Sequence, residues 1–356
     1  MHVTQGHPEF AKPSIPAERS MSTNGRWARF VTLSGLAGLA LVLIGCSGEG
    51  AGPRSTNTCA GSVCIETVNV TDAGNPADPD TGHGSVAENF AIGTYEVNVT
   101  QYLTFLNSAA TVPAAPAVAE LWSDEMQNTY GYVSPGLIAR TGSGTGADPF
   151  AYAEIFDPSL GEDSGRRAIL NISWFDAARF ANWLHNGATS TANTETGAYT
   201  LDGATSGVFI RNADARWWIP SGDDWYKAAY YDPTKPGSGN YWTYPTGTDE
   251  LPVAETFPGG SNSGNYDGAM SEGRKITPTG AYVKSVSHYG TFDQAGLLWE
   301  WNDEVHEDFD GNPITRGLRG GSWSLGIINV SKFGPRDYEP TYDDDDTGFR
   351  LATGSN

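Results

Sequence analysis

Apolar and polar positions alternate with helical period in three stretches of the chain. Thr100 stands before Tyr102, Phe105, Leu106 and Ala109, an i, i+3, i+4, i+7 series that predicts a helix capped by the threonine. Ser173 and Asp176 form an S-x-x-D capping box ahead of Ala177, Phe180, Ala181 and Leu184 on one face. Pro220, Ser221 and Asp224 repeat that start signal before Trp225, Ala228 and Ala229. Short aromatic and β-branched runs broken by Gly and Pro predict strands at 95–99, 208–210, 317–323 and 348–352. Few helices, short strands and a long aperiodic stretch at 232–275 together predict an α+β, loop-rich fold.

The N-terminal part reads differently. Arg26 and Arg29 precede an uncharged run, Phe30 to Gly45, of about 16 residues, too short for a comfortable membrane span. A basic segment, a short apolar segment and small residues describe an export signal, with Met21 as the expected start. The run ends Leu43-Ile44-Gly45-Cys46, which resembles the bacterial lipobox, so Cys46 is expected to carry the lipid that anchors the chain to a membrane. This assigns residues 1–45 to the signal, 46–86 to a flexible polar tether and 87–353 to the folded domain. The expected location is the bacterial cell envelope, lipid-anchored and facing the periplasm or the outside. In that oxidising setting the two remaining cysteines, Cys59 and Cys64, are expected to pair.

Composition narrows the function. The 356 residues carry a formal net charge of −21, so nucleic acid is not an expected partner. Eleven Trp and 16 Tyr supply bulk for a sizeable core. The Asp343–Asp346 run is expected to be solvated because like charges repel. Trp299, Trp301 and Trp323 read either as core residues with satisfied indole N–H groups or as the lining of a ligand groove.

Six blocks in order resemble the formylglycine-generating enzyme, or sulfatase-modifying factor, family. They are Ile92–Tyr102, Asn171–Ala177 with Asn182-Trp183-Leu184, Trp218–Trp225 with Ala228-Ala229, Gly296–Trp301, Arg319–Trp323 and Gly348–Ala352. The resemblance implies a complex C-type-lectin-like fold. It also implies an oxidase site in which two cysteines hold Cu(I), and those positions fall near Leu325 and Val330, or Ser324 and Asn329 with one residue of slippage. None of these is Cys, and copper is not expected, because the soft ion relies on polarisable thiolates. Iron is not expected either: beyond Cys46 the histidines are His83, His185, His288 and His306, with no H-x3-H pair. Calcium is an expectation carried by the resemblance, with Asn265 and Tyr266 at one loop and Glu300 at another. Ser322, Trp323, Trp299 and Arg336 map to the family's active-site surface as a candidate pocket, and Arg350 reads as a structural ion-pair partner. The expected function is a ligand- or partner-binding or structural module, its ligand a protein, glycan or small molecule. The alternative is a copper-independent enzyme acting on an exported protein or small molecule.

Overall fold

The computed structural model describes residues 55–128, 136–237, 239–270, 275–307 and 313–355. The apolar run and Cys46 lie outside them. Strands in chain order are β1 (Thr56–Ala60), β2 (Val63–Val70), β3 (Phe90–Gly93), β4 (Ile138–Thr141), β5 (Ala151–Glu154), β6 (Trp217–Trp218) and β7 (Val253–Ala254). They continue as β8 (Ser263–Gly264), β9 (Trp299–Glu307), β10 (Pro313–Arg319), β11 (Arg336–Tyr338), β12 (Thr347–Gly348) and β13 (Ala352–Gly354). The α-helices are α1 (Val99–Ala109), α2 (Pro116–Ala119), α3 (Asp124–Gln127), α4 (Trp174–His185) and α5 (Gly222–Tyr230). A five-stranded sheet runs β1-β2-β3-β13-β6 and a four-stranded sheet runs β11-β10-β9-β12, with two small two-stranded pairs. This is the α+β architecture expected, with few helices and much ordered loop.

Both serine capping boxes form. Ser173 and Asp176 cap α4 reciprocally, and Ser221 and Asp224 do the same for α5. The third prediction is corrected by two residues. Asn98 caps α1: its side chain accepts from the Gln101 amide at 3.0 Å, and the Gln101 side chain accepts from the Asn98 amide at 3.0 Å. Thr100 already lies inside the helix and donates to the Gly165 carbonyl instead. Tyr102, Phe105 and Leu106 are buried as predicted. Rings of Tyr102, Phe105, Phe180, Trp183 and Phe349 interlock with centroid separations of 5.2 to 5.9 Å, each such pair adding about 0.5–1.5 kcal/mol beyond area burial.

The tether expected at 46–86 is corrected over its described part. Residues 56–70 form the β1–β2 hairpin, and β2 pairs with β3 inside the five-stranded sheet. Val63 and Ile65 are buried on one face in the main core cluster and Val68 and Val70 on the other face in a second cluster, so the strand is covered on both sides. The following 71–86 segment is apolar-poor yet pinned by polar contacts. Lys332 donates to Asp78 at 2.9 Å, the Tyr226 hydroxyl donates to Asp78 at 2.7 Å, and Lys227 donates to the Asp72 carbonyl at 2.8 Å. Cys59 and Cys64 are cross-strand neighbours joined as a disulfide, as expected.

The strand predictions are met in part. No strand forms at 95–99 or 208–210. The run from Gly317 stops at Arg319, because Gly320 (φ 96°) and Gly321 (φ 75°) turn the chain through the left-handed region that a side chain disfavours. The run 348–352 divides between β12, parallel to β9, and β13, in the other sheet. Phe349, Arg350 and Leu351 make that crossing fully buried.

Candidate functional site

The double-glycine turn after β10 delivers Ser322 and Trp323 against the loop that leads into β12. The Ser322 hydroxyl donates to Asp346 at 2.8 Å and lies 3.2 Å from the Ser324 hydroxyl. The Trp323 indole donates to the Asp345 carbonyl at 3.2 Å, and the Trp299 amide donates to the Asp346 carbonyl at 2.8 Å. Arg336, exposed on β11, carries its guanidinium 5.4 Å from the Trp299 ring. Ser322, Trp323 and Trp299 are buried against the 345–346 segment, and of the four candidate residues only Arg336 is exposed.

The three tryptophans are core residues first. Trp301 donates to the Ile172 carbonyl at 2.7 Å, but the buried Trp299 indole N–H has no partner among the described residues. The expectation that all three would be satisfied holds for Trp301 and Trp323 only.

The Asp343–Asp346 run is exposed at Asp343 and Asp344, as expected, and half-buried at Asp345 and Asp346. Asp344, Asp345 and Asp346 present carboxylate oxygens within 4.8 Å of one another. Burial and then Asp344 and Asp346 push Asp345 up to about 6. Burial raises Asp346 as well, against the hydrogen bond from Ser322. Tyr342 donates to Asp344 at 2.7 Å and stacks on Tyr338 at 4.1 Å.

Next to this surface, the positions where the family places its cysteines carry other groups. Ser324 is exposed, Leu325 packs against the main core, and Val330 is buried with Tyr266 and Ala295. The chain has three cysteines in all, two of them in the β1–β2 disulfide.

The calcium expectation divides. Asn265 is buried, its Nδ2 donates to the Lys275 carbonyl, and its Oδ1 has no partner among the described residues. It lines a cavity of about 10 Å³ with Ser263, Asp293 and Leu297, room for one ion or one water. An oxygen with no donor in such a space suits a hard cation. Tyr266 offers less, since its carbonyl already accepts from Ala269 and its hydroxyl donates to the Pro252 carbonyl. Glu300 does not fit. Its oxygens accept from Arg350 at 2.5 and 2.7 Å and from the Trp225 indole at 2.8 Å, which leaves a saturated buried ion pair. Arg350 reads as expected, a structural partner, and it also donates to the carbonyls of Gly93 and Phe292.

Sequence reasoning missed the acids around that pair. Glu96 is buried with both oxygens unpartnered, and burial, then Glu300 and Asp293, raises its pKa. Burial pushes Asp293 up to about 6. Glu96 stood inside a quoted motif, but a motif carries no information on burial.

With this geometry in place, comparison with known families decides the assignment. The profile described as "Sulfatase-modifying factor enzyme 1-like domain" matches residues 49–354. The chain belongs to that family. The match begins well before residue 87, in agreement with the two N-terminal strands. A search of curated proteins finds no match. Among solved structures, CarF is similar at 20% identity and a TM-score of 0.49, over 82% of this chain and 99% of that one. Variable protein 1 of Treponema denticola is similar at 16% identity and 0.48, over 85% and 100%. PvdO from Pseudomonas aeruginosa is similar at 16% and 0.41, over 86% and 100%.

Proposed function

We propose that this family member is a lipid-anchored, ligand- or partner-binding module of the bacterial cell envelope, without the copper oxidase chemistry of the formylglycine-generating enzymes. The observation that carries the reading is the Ser324–Val330 turn. A hydroxyl and aliphatic side chains stand where Cu(I) would need thiolates, and a soft monovalent ion gains little from either. Cys59 and Cys64 are spent on each other, and Cys46 follows the apolar run as the residue to be lipidated. What remains at the surface suits recognition. Arg336 offers an exposed fork of donors on an aromatic base, beside a half-buried carboxylate loop.

Calcium at Asn265 is part of this reading, as an ion that would stiffen the 263–266 loop. The second reading, a copper-independent enzyme, is favoured by one feature: the Ser322 hydroxyl hydrogen-bonded to the raised Asp346 carboxyl.

Glycan and peptide arrays probed with the wild type and with Arg336→Ala test the binding function. Captured ligand that Arg336→Ala releases supports it. Silence across both arrays, or capture indifferent to Arg336, counts against it.

A further inference from the structure

A concavity of the fold is lined by Asp343 but by none of Ser322, Trp323, Trp299 or Arg336. It is a cleft of about 670 Å³ between the first turn of α4, the segment entering α3, the β4–β5 hairpin and the loop at 341–343. Its acidic members are Glu120, Asp124, Asp176 and Asp343. Asp176 is only 7% exposed. Its Oδ2 accepts from the Ser173 amide at 2.9 Å and hydroxyl at 2.6 Å, while Oδ1 has no hydrogen bond among the described residues. Burial, with Asp343 adding to it, pushes Asp176 up to about 6. Asp343, exposed on the same cleft, adds a second negative charge there, so the lining attracts a cation.

The cleft also holds a cation, Arg140, which interacts with the Tyr152 hydroxyl but has no acidic partner among the described residues. The Arg140 guanidinium lies 3.8 Å from the Trp122 ring centre and 4.4 Å from that of Phe150, and among the described residues no carboxylate pairs with it. Rings cover its faces, so an anion can reach only its N–H edge, where carboxylates bind in bidentate fashion. Arg179 lines the cleft too, but Glu195 neutralises it at 2.8 Å. A buried hydroxyl without a partner, Ser123 Oγ, adds a further polar contact. A metal ion suits this set poorly, because the only acidic cluster among the described residues that converges within 4.8 Å is Asp344–Asp346, outside the cleft.

We propose that the cleft binds a small zwitterion, an amino carboxylate whose ammonium sits at Asp176 and Asp343 and whose carboxylate meets the edge of Arg140. The proposal is independent of the reading of the Ser322 surface, and copper bound there would leave it standing.

Calorimetric titration of the full chain with unbranched ω-amino carboxylates of increasing length, and with the matched alkylamines and alkanoates, tests it. One chain length should bind best, and removing either charged end should weaken it at least about ten-fold, the usual weight of a charged hydrogen bond. Arg140→Gln should erase the advantage of the zwitterion over the amine while leaving amine binding in place. Asp343→Asn, at an exposed site, should erase its advantage over the alkanoate. The proposal fails if no member of the series binds, if both variants weaken all ligands alike, or if only calcium binds in the cleft.

Discussion

Arg350 occupies the point where the chain passes from the four-stranded to the five-stranded sheet, and its fully buried partner is Glu300. Removing one side of such a pair leaves the other charge buried and alone, which costs about 3–5 kcal/mol. Arg350→Ala is therefore expected to lower unfolding free energy by about that amount in a denaturant titration, and a loss under 1 kcal/mol would show that the pair is not holding the sheets together. Asp293, beside this pair, gives a prediction of opposite sign. Burial raises its folded value to about 6, above the unfolded carboxylate value, so folding takes up a proton between roughly pH 4 and 6. Its contribution is most favourable below that window and is lost as pH rises through 6. Asp293→Asn should gain stability relative to the wild type at pH 7, by roughly 3 kcal/mol, and the gap should close by pH 4. A gap that widens on acidification would contradict the burial argument. In the sequence, Arg350 and Glu300 sit in separate recognisable blocks, so each was legible as important. Their pairing was not, because nothing in the local pattern specifies which charge faces which across 50 residues.

Among elements, the helices were the most legible part, since periodicity and capping chemistry are local. The one error, Thr100 for Asn98, came from weighing a threonine over an N-x-x-Q box that satisfies the same rule. Asn98→Ala should cost α1 about 1 kcal/mol. The larger miss was β1–β2. A segment rich in Gly, Ser, Thr, Asn and Asp hid an alternating Val63, Ile65, Thr67 run. Its pairing partner is β3, which lies 20 or more residues further on, and the segment after it is pinned at Asp78 by Lys332 and Tyr226, which are further still. Chains beginning at residue 55 and at residue 87 separate the two views. The shorter chain uncovers Ile92 and Phe90 along an unpaired β3 edge and is expected to aggregate or unfold well below the longer one in a thermal melt. Equal melting temperatures would restore the tether.

For the whole molecule, the family and its fold were readable because six blocks recur in order, whereas the site was readable only as a set of positions. The candidate positions Ser322, Trp323 and Arg336 followed from that order of blocks. The saturation of Glu300 and the cleft around Arg140 did not, because both depend on contacts between distant loops. Cys46 lies outside the described residues, and the anchoring proposed for it has its own test. Cys46→Ser should move the protein from the membrane to the soluble envelope fraction, and an unchanged membrane association would remove the anchor from the account. The central claim, that this family member has no thiolate pair to grip copper, is tested most directly by titrating the purified chain with Cu(I) against a competing chelator in the presence of a sulfatase-derived peptide. The account predicts no stoichiometric Cu(I) and no formylglycine. One tightly held Cu(I) per chain at the Leu325–Val330 turn, with conversion of the peptide cysteine, would contradict it.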